Sequence, residues 1–446
     1  MTAKAVEMAV PQTGLRARFL HGITWNVVNA LFTQGSVFLS NVIIANLLGR
    51  EIFGEYGMIQ STLLTVSGIA QVATGITATK YVAEYRSTDK EKTGRILGLC
   101  STVTFLTGCV ATLLLLVGAP WLASHTLRAP HLSRGIMISA GVVMFAVVNG
   151  YQAGALAGLE GYRILARAGI FQGALHLAVC SLGAWFWGLE GALAGLVASA
   201  AGRWLLYHGA LRTAGREHAI FLMYRGLWRE RRIILGFAVP AALCGLTSMP
   251  AIWLANAFLV RQEGGYSQMG LYSAANTLRI LTLAIPLLFN NVGSSLLNNQ
   301  LGQGNDRLYR KVFWINSFAM TGTVVVGFFL MALGGSWVLG LFGKDFVAGY
   351  PILLCLILSA IPEALAVAFF QVIQSRERMW LSLLFVNVPR DLVMVGLAYF
   401  FIPRYGAMGM AASYLASWCV ALVAIITIIY RCNLFVAGRE ESVASG

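Results

Sequence analysis

The chain has 446 residues, 58% of them hydrophobic and only 11% charged, with a net charge of +14 and a mean hydropathy of +0.72. A soluble domain carries about 25% charged residues. Most of this surface must therefore face lipid, which excludes the two or three soluble domains that length alone would suggest.

A membrane span needs about 20 mostly apolar residues. On that rule hydropathy predicts helices near 20–47, 54–79, 94–118, 134–157, 166–188, 190–209, 232–260, 269–297, 308–334, 348–374, 380–402 and 407–431. The polar stretch 1–19 precedes an apolar run too long for a signal-peptide core, so the first helix reads as a retained span. Breaks fall at Leu48-Gly49-Arg50-Glu51, Ala129-Pro130 and Pro403-Arg404-Tyr405-Gly406, where turn chemistry expects them. The split at Gly188-Leu189-Glu190 is very short, which leaves eleven or thirteen spans open beside twelve.

Counting basic residues by loop sets the orientation. With the N-terminus cytoplasmic, 23 of the 32 Lys and Arg fall inside, 6 fall outside, and Arg203, Arg279 and Arg390 lie within helices. The bias predicts both termini on the cytoplasmic side of a bacterial inner membrane. It also explains the net charge as loops facing anionic headgroups, so nucleic acid is not an expected partner while membrane lipids are. The short outer loops leave no room for a catalytic domain. The chain is expected to be no enzyme. The seven cysteines and six histidines form no metal-ligand spacing, so neither a metal nor another cofactor is expected. His176 reads as a packing residue.

The sequence repeats itself. Gly188 to Gly191 matches Gly406 to Gly409 at an offset of 218, Tyr151-Gln152 matches Phe370-Gln371 at 219, and Phe53 to Gly57 matches Met269 to Ser273 at 216. Near-constant offsets in chain order pair helices 2, 4 and 6 with 8, 10 and 12. An even number of spans per half makes both halves enter the membrane in the same direction, related by an axis along its normal. The expected organisation is a tail (1–19), a first lobe (20–209), a basic linker along the membrane surface (210–231), a second lobe (232–431) and a second tail (432–446). The fold class is an all-α membrane protein of about twelve helices in two pseudo-symmetric lobes. Small residues four apart, such as Gly150, Gly154 and Gly158, read as close helix packing.

Several segments resemble the polysaccharide-biosynthesis flippases of the multidrug/oligosaccharidyl-lipid/polysaccharide (MOP) superfamily, the O-antigen type. They are Asn41 to Gly49 running into Phe53 to Gly57, Thr79 to Arg86, Tyr151 to Tyr162, and Gly188 to Gly195, and the likeness covers roughly residues 18–432. The resemblance implies a MATE-like fold around a central cavity. It also implies transport of an isoprenoid-diphosphate-linked oligosaccharide between leaflets, with polysaccharide polymerase and assembly proteins as partners. The chain lacks the additional C-terminal helix pair of peptidoglycan lipid II flippases. Helix 1 lacks the acidic residue usual in the drug-exporting branch. A drug/cation antiporter is the alternative on the same fold; a membrane glycosyltransferase or polymerase is the alternative from another class.

A charge at the bilayer centre costs about 2.5–3.5 kcal/mol on insertion scales. Arg279 in helix 8, Glu363 in helix 10, and Arg390 and Asp391 in helix 11 all lie near mid-depth. Guanidinium binds phosphate oxygens in bidentate fashion, so Arg279 and Arg390 are expected to hold the diphosphate. For Arg390 the competing expectation is a structural ion pair, with Glu363 across helices 10 and 11 or with its neighbour Asp391. Arg203, near the inner end of helix 6, either snorkels or receives the diphosphate first. Asn29, Gln34 and Asn290, with their amide neighbours Asn26, Asn256 and Asn291, suit glycan hydroxyls or interhelical hydrogen bonds. Glu363 and Asp391 are the expected sites for a coupling proton or sodium ion. Pro240, Pro250, Pro286, Pro362 and Pro389 interrupt second-half helices and predict bending there. There is no G-x-x-x-x-G-K-[ST] stretch to cradle ATP.

Overall fold

The computed structural model describes residues 15–233, 242, 247–302, 306–376 and 379–432. These residues form helices joined by short turns, and no strand occurs among them. Three helical stretches are far longer than one span. Arg163–Glu217, for example, has 55 residues. At 1.5 Å per residue that is about 80 Å of helix, against a hydrocarbon core of about 30 Å. Each long stretch therefore folds back on itself, and each does so at a glycine: Gly49, Gly188 and Gly406.

Labelled in chain order, α1 is 15–48 and α2 is 50–70 continuing as Thr74–Tyr85; α3 is Lys90–Trp121. Next come α4 (Leu132–Ser139 with Gly141–Gly158), α5 (162–186) and α6 (189–217). In the second half α7 contains Ser248–Val260, α8 is Gly265–Gly302 and α9 is Asp306–Gly340. They are followed by α10 (Tyr350–Ser375), α11 (379–405) and α12 (407–431). Pro240 lies outside the described residues, as do the two chain ends.

The repeat is visible in the backbone. Gly188 turns with φ 61° and ψ −137°, and Gly406, 218 residues on, with φ 55° and ψ −132°. Side-chain-bearing residues avoid that region. The very short split is thus two residues wide, Trp187 and Gly188. The packing repeats as well: a Cβ on Gly191 would sit 2.0 Å from the Gly183 carbonyl oxygen, and one on Gly409 would sit 2.4 Å from that of Phe401.

Two segments depart from the hydropathy pattern. α2 unwinds at residues 71–73, where Val72 and Ala73 take positive φ. Here Gly75 meets the Gly150 carbonyl, Gly154 meets the Gly75 carbonyl, and Thr79 Oγ1 donates to the Gly154 carbonyl at 2.9 Å. The contact brings the two backbones together, and a purely apolar pattern gives no sign of it. The basic linker, expected along the membrane surface, is helical to Glu217 and then docks on α3. Met223 N–H donates to the Gly94 carbonyl, and the Phe221 and Met223 carbonyls rest on Gly94 and Gly98.

The buried core is continuous at one end of the molecule and divided at the other. At the end opposite the basic loops, one cluster joins the halves, with Ile44, Phe53 and Tyr56 packed with Met269, Tyr272, Phe342 and Phe346. Phe53 lies 6.1 Å from Phe342 and 5.7 Å from Phe346, ring centre to ring centre. At the basic end each half has its own core, around Val82, Leu97 and Tyr151 in the first and around Tyr309, Phe313 and Val372 in the second.

Candidate functional site

The mid-depth charges gather in the second half as two adjacent ion pairs. Arg279 of α8 donates from Nη1 to Glu363 Oε2 of α10 at 2.5 Å and from Nε to Asn276 Oδ1 at 3.0 Å. Arg390 of α11 donates from Nε to Asp391 Oδ1 at 2.8 Å and also to Ser248 Oγ of α7, whose hydroxyl donates to Asp391 Oδ2 at 3.4 Å. Both pairs lean on one aromatic ladder of α12. The Arg279 guanidinium lies 4.6 Å from the Tyr414 ring centre, the Arg390 guanidinium 4.8 Å from that of Trp418, and the two rings are 6.3 Å apart. Arg279 is 8% exposed and Asp391 7%.

One expectation needs correction: Glu363 does not pair with Arg390. Its partner is Arg279, for which α10 supplies the acid that its own helix lacks, while Arg390 takes the other partner expected of it, its neighbour Asp391. Depth along a helix can be read from sequence, whereas the rotation that decides which charges meet cannot. The aromatic ladder was also missed. Its only signal was the i, i+4 spacing of Tyr414 and Trp418, which puts both on one helix face.

Of the other expected site residues, Asn290, Arg203 and Gln34 do not join this cluster. Asn290 accepts from Gln371 Nε2 through both its carbonyl and Oδ1, and Gln371 Oε1 accepts from Asn316 Nδ2 at 3.0 Å. That is an interhelical network of α8, α9 and α10. Arg203 lies in the first half, beside His176 and Tyr207. His176 packs with Nδ1 3.2 Å from Ser199 Oγ. Gln34 is half-buried on α1. The side chains of Asn29, Asn26 and Asn291 lie outside the described residues. Asn256 bridges the halves, donating to Ser61 Oγ at 2.7 Å, as Trp253 Nε1 does to Thr62 Oγ1 at 2.9 Å. Ser248 links the charged cluster to that seam, because the next residue, Met249, packs on Gly68 and its carbonyl accepts from Thr65 Oγ1. Among the described residues no three His, Cys, Asp or Glu side chains gather as metal ligands.

Residues 19–297 match the family described as polysaccharide biosynthesis protein. The chain belongs to that family. Stage V sporulation protein B of Bacillus subtilis (strain 168) is 26% identical over 185 residues. That match takes in 41% of this chain and 36% of the relative, so only about a third of the relative's length is spanned. Among solved structures, the inward-facing conformation of a multidrug resistance MATE family transporter of the MOP superfamily superposes with a TM-score of 0.77. It is 15% identical, with 94% of this chain and 100% of that chain covered. A MOP superfamily transporter from Pyrococcus furiosus, described as having a binding pocket of reverse polarity, gives 0.68 at 15% identity over 93% and 95%. These likenesses establish a MOP transporter fold for this family member.

Proposed function

We propose that the protein flips an isoprenoid-diphosphate-linked oligosaccharide from the cytoplasmic leaflet, at the basic end, to the outer leaflet, for cell-surface polysaccharide assembly. The observation that carries this reading is the pair of guanidiniums clamped between carboxylates and aromatic faces, in a chain of the polysaccharide biosynthesis family. The carboxylates keep the arginines neutralised while no substrate is bound. An arriving diphosphate competes with Glu363 and Asp391 for the same donors, and protonation of those acids releases the arginines to it. Anion binding at the guanidiniums and proton binding at the carboxylates are thus linked through the same ion pairs. The divided basic end gives access from the cytoplasmic side, with both termini there and residues 20–209 and 232–431 as the moving lobes. Polymerase and assembly proteins take the product outside. A drug/cation antiporter would want spare negative charge; in this cluster each acid already has an arginine.

The test is gene deletion followed by lipid extraction and a sidedness assay. Lipid-linked oligosaccharide trapped on the cytoplasmic leaflet is expected, and normal export in the deletion strain would sink the proposal. In complemented cells Arg279→Gln should lower transport about tenfold or more, since a hydrogen bond to a charged group is worth about 1.5–3 kcal/mol. Arg279→Lys should fall between, because it keeps charge without the bidentate fork.

A further inference from the structure

A second built feature lies far from the charged cluster, at the basic end of the first half. A groove of about 530 Å³ between α8 and α9 is walled by uncharged residues such as Ile285, Phe318 and Val326 and offers nothing for a headgroup. The first-half groove differs. It encloses about 550 Å³ between α3, α4 and α6, in the range of small-molecule sites.

Its lining changes character along its length. Away from the basic end the lining is apolar, with Phe105, Met144, Phe145 and Val148. Then comes a stack in which Phe145 lies 6.0 Å from Trp204 and Trp204 lies 5.8 Å from His208. At its basic end the lining includes Arg212 of α6 and Tyr224, the latter on the linker segment anchored to α3. In its wall Gln152 is 3% exposed, yet its Oε1 has no hydrogen-bond partner. Its repeat counterpart Gln371 uses both ends of the amide. A buried amide atom left unpaired is costly unless something else meets it. It can accept from a hydroxyl, or a half-turn presents Nε2 to an ester carbonyl.

We infer that this groove holds one anionic glycerophospholipid of the leaflet that the basic loops face, its chain among Phe105, Phe145 and Val148 and its phosphodiester at Arg212. The order apolar, aromatic, cationic toward the basic end is that of a lipid from chain to headgroup, with the indole at the level where tryptophan collects in membranes. The charge is complementary: Arg216 follows Arg212 one helical turn on and Arg225 follows in the linker, and such basic segments attract anionic headgroups. The bound lipid would lock the linker onto α3 and so tie the first half to the composition of that leaflet.

Native mass spectrometry of the purified full-length protein, titrated with phosphatidylglycerol or phosphatidylcholine, tests this without any transport assay. The first phosphatidylglycerol should bind about fivefold or more tighter than phosphatidylcholine, one arginine near a headgroup being worth that much. Arg212→Gln, an exposed position, should abolish the preference. Arg310→Gln, at the basic end of the second half, should leave it intact. Val148→Trp, which fills the apolar part, should weaken both lipids if its thermal midpoint shows it folded. Equal binding of the two lipids by the wild type would overturn the inference. So would a preference that survives Arg212→Gln, or displacement of phosphatidylglycerol by a polyprenyl phosphate, which would assign the groove to a substrate tail.

Discussion

The two halves share a backbone and differ in what they hold inside it. Gly188 and Gly406 turn within a few degrees of each other, and Gly191 and Gly409 press on equivalent carbonyls. At the offsets of the repeat, however, Arg279, Glu363, Arg390 and Asp391 correspond to Leu63, Met144, Gln172 and Gly173. The first half solves that depth with uncharged contacts, such as Gln172 Nε2 donating to Ser199 Oγ at 3.2 Å. Duplication supplied a scaffold for both halves, and charge was then concentrated in one. The contrast teaches that symmetry predicts where helices turn and cross, and says nothing of where the chemistry sits.

The largest effect should come from breaking that asymmetry. Glu363→Leu leaves Arg279 charged and unpaired inside the second half, and removing one partner of a buried pair costs about 3–5 kcal/mol. The joint change Glu363→Leu with Arg279→Met should recover most of the loss in a thermal unfolding series. If the single change alone is neutral, the pair is not holding the half together. A smaller, matched effect should sharpen the symmetry. Gly188→Ala and Gly406→Ala each force a side chain into a φ near +60° with ψ near −135°, at about 1–3 kcal/mol apiece. Midpoints that fall by unequal amounts would mean that one hairpin relaxes where the other cannot. The smallest effect compares the paired glutamines. Gln371→Leu removes interhelical hydrogen bonds and should cost about 1 kcal/mol. In lipid-free detergent Gln152→Leu should cost nothing, since its Oε1 has no partner to lose. Equal losses from the two would erase the distinction.

Much of the architecture was legible in the sequence. Hydropathy located the spans, and the glycine matches located both the repeat and the hairpins, because a glycine at such a turn is demanded by sterics rather than by context. The break in α2 was not legible. Residues 71–73 sit inside a stretch that hydropathy reads as one span, and the crossing of Gly75 with Gly150 and Gly154 that accompanies the break joins positions some 75 residues apart. Of the site, the residue types and depths of Arg279, Glu363, Arg390 and Asp391 were readable, and so was Asp391 as a partner for Arg390, but the pairing of Arg279 with Glu363 was not. Two of the amides take the interhelical alternative. Asn290 faces Gln371 and Asn256 faces Ser61, each closing a helix contact of its own.

The seam at the closed end has a consequence for variation. There a Cβ on Gly54 would lie 1.9 Å from the Tyr266 carbonyl oxygen, and one on Gly270 would lie 2.1 Å from that of Arg50. The halves are joined at these points main chain to main chain, with no side chain whose chemistry can be exchanged for another. A saturation library should therefore show two fully dark columns, at 54 and 270, where even alanine is refused. The large buried side chains beside them can be exchanged for others of their size, but these two positions must stay bare.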